Sequence, residues 1–170
     1  HEYVENIELL IGRSLFHKGE YEAAANKYIS FIQEYQNSVN LAEAYYFLGE
    51  CYEKPARYTR DKRKLLKQAL KSYQKVIIDF PDSRWANSAN ANIGMTYYSL
   101  EEYDDAISYF NTYINNNPSG KMLGSCLNFL GICYERLGRT EEAEKTYKRI
   151  IEELPNTNWA KYAKRHLKKL

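Results

Sequence analysis

The sequence predicts an all-helical array of stacked two-helix units, and three observations carry that prediction. Gly12, Gly49, Gly94 and Gly131 are each followed by a matching alanine: Ala24, Ala69, Ala106 and Ala143. Twelve residues beyond each alanine stands Gln36, Pro81, Pro118 or Pro155. Between these markers apolar residues recur at steps of three and four, the period of an amphipathic helix. Glycine costs a helix about 1 kcal/mol against alanine, so four at matching places imply that a bulky neighbour approaches closely.

The units run over about 4–37, 41–82, 85–118 and 122–155, as one array over 1–170 with a capping helix at 158–170. Unit one opens with HEYVENIELL, directly in helical pattern. Unit two is the irregular one: glycine to alanine is twenty residues there and twelve elsewhere, which defines an insertion at 54–62. In unit three, Ala86, Ala89, Ile93, Tyr97 and Leu100 form the first apolar face, and Ala106, Ile107, Phe110 and Ile114 face back toward it. Gly94 and Ala106 are expected to make room for Tyr97 and Phe110. In unit four, Leu130, Tyr134 and Leu137 precede a Gly138-Arg139-Thr140 turn. Thr140 is expected to cap a helix carrying Ala143, Tyr147, Ile150 and Leu154.

Composition places the chain among folded proteins, with 44% hydrophobic and 27% charged residues and a net charge of +2. No apolar run approaches the ~20 residues of a membrane span. No signal peptide is visible, and His1 in place of methionine reads as a processed or trimmed start. The 17 tyrosines are expected to pack their rings and keep wet hydroxyls. Cys51 and Cys133 stand two residues after their glycines but two units apart, and Cys126 precedes Cys133 by seven on one helix. Neither pair can approach the roughly 7 Å Cα limit of a disulfide, so all three are expected as buried small hydrophobes.

The spacing Leu-Gly-x-x-Tyr followed by Ala, an aromatic and Pro resembles the tetratricopeptide repeat. It stands here as Leu48-Gly49-x-x-Tyr52 and as Leu130-Gly131-x-x-Tyr134 with Ala143, Tyr147 and Pro155. The usual tryptophan four residues before the glycine is replaced by Glu8, Tyr45, Asn90 and Leu127. The resemblance implies a right-handed superhelix, an α-solenoid of four repeats plus a cap. The 37-residue period, with stretches such as FPDSRWANSANANIG and LPNTNWAKYAKRHL, is similar to repeats of bacterial cell-envelope proteins. Two groups have repeats of this kind, the outer-membrane assembly lipoproteins of the BamD type and the periplasmic coordinators of the YbgF/CpoB type.

That resemblance implies a non-enzymatic scaffold that binds a peptide or partner domain in a concave groove lined by first helices. Carried over residue by residue, the groove positions are Asn6, Leu9, Arg13 and His17; Glu43, Tyr46, Glu50 and Glu53; Ser88, Ala91, Met95 and Tyr98; and Asn128, Ile132, Glu135 and Arg136. The middle of such a groove is apolar and aromatic and its ends are charged, which suits an extended peptide or an inserted helix. The carboxylate-gripping places of chaperone-binding members hold Leu9, Arg13, Phe47, Ser88 and Asn92, which argues against a tail clamp.

Two basic stretches interrupt a near-neutral chain, one from Lys54 to Lys71 and one from Trp159 to Leu170. Arg57, Arg60, Arg63 and Lys64 of the insertion are candidates for docking on an acidic partner or on an anionic membrane surface. The C-terminal stretch reads as the polar end cap that an array needs. Nucleic acid is not expected as a partner, since the basic stretches carry no recognised motif. Catalysis finds no support either: His1, His17 and His166 lack a partner at a recognised spacing, and no metal or cofactor is expected. Placement in the bacterial periplasm or on the inner face of the outer membrane is the leading expectation. A cytoplasmic adaptor in a regulatory or assembly complex, favoured by the free cysteines, is the alternative.

Overall fold

Helices joined by short turns account for the fold, and a computed structural model describes residues 2–170, so the reading of His1 lies outside the described residues. Among them run nine helices: α1 Glu2–His17, α2 Tyr21–Glu34, α3 Leu41–Ala56, α4 Lys62–Asp79, α5 Ala86–Leu100, α6 Tyr103–Asn116, α7 Leu123–Arg136, α8 Thr140–Glu153 and α9 Asn158–Leu167. By packing they fall into two compact units, residues 1–89 and 90–170, with the division inside α5. In the first unit α1 packs on α2, α2 on α3 and α3 on α4; in the second α6 packs on α7, α7 on α8, and α9 on both α7 and α8.

Each unit has its own core, and the repeated small residues sit where helices cross. Ala24, Ala69, Ala106 and Ala143 have no exposed surface at all. A Cβ added to Gly12, Gly49, Gly94 or Gly131 would meet the aromatic ring of Tyr28, Tyr73, Phe110 or Tyr147, four residues beyond the matching alanine. Phe110 is thus the bulk that Gly94 admits. Tyr97 is not; it stacks on Tyr109 at 5.6 Å between ring centroids.

Three turns share one device. After α1, α5 and α7 the chain passes through a left-handed residue: Gly19 at φ 82°, Glu101 at φ 66° and Gly138 at φ 70°. The next amide reaches back five residues in each, as Glu20 N–H to Leu15 O, Glu102 N–H to Tyr97 O and Arg139 N–H to Tyr134 O. These bonds satisfy carbonyls that a helix end leaves open. Glu101 holds this conformation without glycine's freedom. The expected Thr140 cap is displaced by one residue: Thr140 is the first helical residue, and Arg139 ahead of it donates from Nε to Glu142 at 2.8 Å.

The insertion of unit two is mostly wound into helix. α3 ends seven residues past Gly49, whereas α1 and α7 end five past their glycines. α4 begins seven residues before Ala69, whereas α2, α6 and α8 begin three before their alanines. Both helices are lengthened, α4 by a full turn, and a five-residue turn over 57–61 joins them. At the other end Trp159 lies against Gly124, while Ala160 and Ala163 bury the inner face of α9.

Candidate partner-binding face

The positions expected to bind a partner lie on the first helix of each pair, and burial sorts them. Leu9, Tyr46, Ala91 and Asn128 belong to the interior, at 2%, 9%, 0% and 5% exposure. Tyr46 is stacked on Trp85 at 4.8 Å, which turns an expected contact residue into packing. Arg13 and Glu43 are joined in an ion pair between α1 and α3, with the Arg13 guanidinium donating to Glu43 Oε1. His17 is exposed and meets Phe16 edge-on at 5.6 Å. Glu50 is half-buried; burial raises its carboxyl pKa, opposed by Lys54 at 3.7 Å. Met95, Tyr98 and Ile132 are half-buried in the second unit, with Tyr98 4.9 Å from Phe129 and 5.9 Å from Tyr103. Burial raises the Tyr98 hydroxyl pKa, and the charge of Arg136 works against that.

Two of the expected groove acids have a structural task. Glu53 accepts the hydroxyl of the fully buried Tyr73 at 2.9 Å. Glu135 stands at the same distance from its glycine, and His166 Nδ1 lies 2.8 Å from its Oε1. The hydroxyl of buried Tyr147 is 3.3 Å from that nitrogen. Burial and the neighbouring Glu135 hold the Tyr147 hydroxyl far above its ordinary pKa. The same place in unit one holds Phe16, and there the buried hydroxyl of Tyr28 has no hydrogen-bond partner. A carboxylate four residues past the glycine therefore goes with a partnered tyrosine on the second helix, in units two and four. His166, for which local spacing offered no acid, finds one 31 residues away and ties α9 to α7. The expectation of wet tyrosine hydroxyls fails for Tyr28, Tyr73 and Tyr147.

Asn128 is the one groove position whose chemistry is left open. It is 5% exposed, and its Oδ1 has no hydrogen-bond partner. It shares a face of α7 with Ile132 and Glu135, at steps of four and three. Of the four candidate cations, Arg57 and Arg60 lie in the turn of the insertion and Arg63 and Lys64 in the first turn of α4, and all are exposed. α4 has Asp61 at its N-cap but no acid in its first turn, unlike α2, α6 and α8, so Arg63 and Lys64 stand at the end of a helix dipole that disfavours them, whereas Arg57 caps the C-terminus of α3, where the dipole favours a cation. Among the described residues no cluster of His, Cys, Asp and Glu could hold a metal ion, and no helix is long and apolar enough to cross a membrane. Cys51, Cys126 and Cys133 are buried and unbridged, and burial pushes each thiol up to about 12.

Glycine-to-aromatic crossings, left-handed turns and sequential helix pairs together define a tetratricopeptide-repeat protein, and a tetratricopeptide repeat model matches residues 85–152. Within that class the chain belongs to the YfiO family of outer membrane lipoproteins, whose model matches residues 1–96. It is 25% identical to the outer membrane protein assembly factor BamD of Rickettsia prowazekii (strain Madrid E), over 98% of this chain and 72% of that protein. Solved structures extend the likeness of fold. A tetratricopeptide repeat protein of Parabacteroides merdae ATCC 43184 superposes with a TM-score of 0.78 at 18% identity, over 97% of this chain. The chain spans 59% of that protein's length. MamA of Desulfovibrio magneticus RS-1 superposes with a TM-score of 0.76 at 15% identity, over 96% of this chain and 81% of that one. Of the two envelope groups that the 37-residue period resembles, the assembly lipoproteins are therefore the one the family match carries.

Proposed function

We propose that this chain is a non-enzymatic scaffold that binds a partner protein or peptide along its first-helix face, within an assembly at the periplasmic side of the outer membrane. Membership of an outer membrane lipoprotein family and likeness to a protein named for outer membrane protein assembly support the location. The binding mode rests on Asn128. A buried amide oxygen without a partner costs roughly 1–3 kcal/mol, and rotation of the Asn128 side chain to meet a backbone N–H of a bound segment would relieve that cost. Met95, Tyr98 and Ile132 supply half-buried apolar surface in the same unit. The three buried thiols, protonated at neutral pH, suit an oxidising compartment as well as a reducing one.

The test compares capture of partners from a native envelope extract by the wild type, by Asn128→Leu and by Met95→Ala with Tyr98→Ala. Asn128→Leu should stabilise the free chain by about 1 kcal/mol while weakening capture, because an orphaned polar group is removed. The double variant should also lose partners and keep its helicity. Undiminished capture by both variants would rule out this face.

A further inference from the structure

One side-chain seat of the repeat is filled in the second unit and open in the first. In the second unit the guanidinium carbon of Arg139 lies 4.8 Å from the ring centroid of Tyr134. A terminal nitrogen of the same group stands 3.8 Å from Asp104 of α6. A planar guanidinium can lie on an aromatic face and pair with a carboxylate at the same time.

The first unit keeps the ring and the acid. Tyr52 stands three past Gly49 as Tyr134 stands three past Gly131, and Glu22 stands two before Ala24 as Asp104 stands two before Ala106. The cation is replaced. Four residues before the alanine of the following helix, where the second unit has Arg139, α4 carries Leu65. The places of Ile107 and Leu137 are held by the smaller Ala25 and Pro55. A cavity of about 380 Å³ lies between α2, α3 and α4, with Ala25, Tyr52, Pro55 and Leu65 in its walls beside the exposed Glu22 and Asn26. An adjoining hollow shares Glu22, Asn26 and Pro55 and adds the exposed Glu20. Among the described residues no Lys, Arg or His lines either one. Arg57 stands eight past Gly49, as Arg139 stands eight past Gly131, but α3 stays helical through Ala56, without the left-handed turn of Gly138. Arg57 is exposed and does not line the cavity.

We propose that the cavity between α2, α3 and α4 is a binding site for a guanidinium group on an apolar stem, the chemistry of an arginine side chain. The guanidinium lies on the Tyr52 ring and pairs with Glu22, as Arg139 does with Tyr134 and Asp104. Its stem runs along the half-buried Pro55 and Leu65, the apolar surface that long cationic side chains cover. This site belongs to the first unit and is independent of the Asn128 face of α7, so either can fail without the other.

The probe is N-acetyl-arginine methylamide, titrated into the isotope-labelled 170-residue chain and followed by amide NMR signals. Signals of Glu22, Asn26 and Tyr52 should shift saturably, while those of Asp104 and Tyr134 stay still because Arg139 holds their seat. The citrulline analogue, of the same shape without the charge, should move none of them. Glu22→Gln, at an exposed position, should weaken binding by roughly threefold or more, and Leu65→Arg should fill the seat and abolish it. Arg139→Ala should open a second site, bringing Asp104 and Tyr134 into response. No saturable shift, or an equal response to the lysine analogue, overturns the proposal. So does an Arg139→Ala variant in which Asp104 and Tyr134 remain silent. Tighter binding after Arg57→Ala would assign the seat to this chain's own arginine and overturn it equally.

Discussion

A single methyl group added at Gly49 tests the packing logic of the whole repeat. The new Cβ would lie 2.5 Å from Cε1 and 2.7 Å from Cδ1 of Tyr73, a ring with no exposed surface. The ring cannot slide away freely, because its hydroxyl is held by Glu53 at 2.9 Å. Overpacking of this kind costs about 1–3 kcal/mol, and loss of a hydrogen bond to a charged group adds about 1.5–3 kcal/mol if the ring gives way. Alanine returns about 1 kcal/mol of helix propensity. Gly49→Ala should therefore destabilise the chain by roughly 1.5–5 kcal/mol on these magnitudes. Gly12→Ala provides the comparison. There the nearest atom is Tyr28 Cζ at 2.9 Å, and the Tyr28 hydroxyl has no partner to hold it. Relief of overpacking by a small ring shift, offset by propensity, leaves a change within about 1 kcal/mol. Urea midpoints followed by circular dichroism at 222 nm measure both. Equal losses, or a larger loss at Gly12, would refute the claim that the Tyr73–Glu53 bond fixes the ring.

Two further outcomes follow from the turn geometry and the buried thiols. Glu101→Gly should stabilise the chain by about 0.5–1 kcal/mol, since a non-glycine residue at φ 66° is strained by roughly 1–2 kcal/mol and glycine gives up part of that gain in unfolded-state entropy; a lowered melting temperature would contradict the strain. Stability should also fall in alkali. Cys51, Cys126 and Cys133 titrate at about 12 when folded, whereas unfolded thiols titrate near 8.5. Their protonated form is thus favoured in the folded state, with the stabilising contribution complete below about pH 8.5 and lost as pH rises through 12. Urea midpoints that stay level between pH 8 and pH 11 would show that the thiols reach water.

Much of the fold is legible in the sequence because it is local. The glycine, alanine and proline markers report crossings and helix ends within each pair, and the apolar period of three and four reports which side is covered. The start of α8 differs from the expected Thr140 cap by one residue because the left-handed turn before it, shared with α2 and α6, sets the first helical residue three before the alanine in all three without a side-chain cap. The partner-binding positions are less legible, since sequence register tells which way a residue faces on its own helix but not what arrives against it. Tyr46 lies on the expected helix, yet Trp85, 39 residues later, claims its ring. Glu53 and Glu135 look like solvated groove acids, and the buried hydroxyls beneath them, on other helices, assign them to packing. One signal is available: tyrosine four residues past the repeat alanine accompanies glutamate four residues past the glycine in units two and four, and phenylalanine or tyrosine replaces that glutamate in units one and three.

By itself the sequence determined the repeat, its two-helix plan, the place of its interruption and the burial of its cysteines, because each depends on periodicity along one helix or on the contact between adjacent ones. Only the tertiary structure decided which polar groups find partners. The winding of the insertion into longer α3 and α4, the link of His166 to Glu135 and the orphaned oxygen of Asn128 all depend on what a neighbouring element does or does not bring. The links of Tyr46 to Trp85 and of Glu135 to His166 join residues far apart in the chain, and no spacing rule along the sequence encodes them.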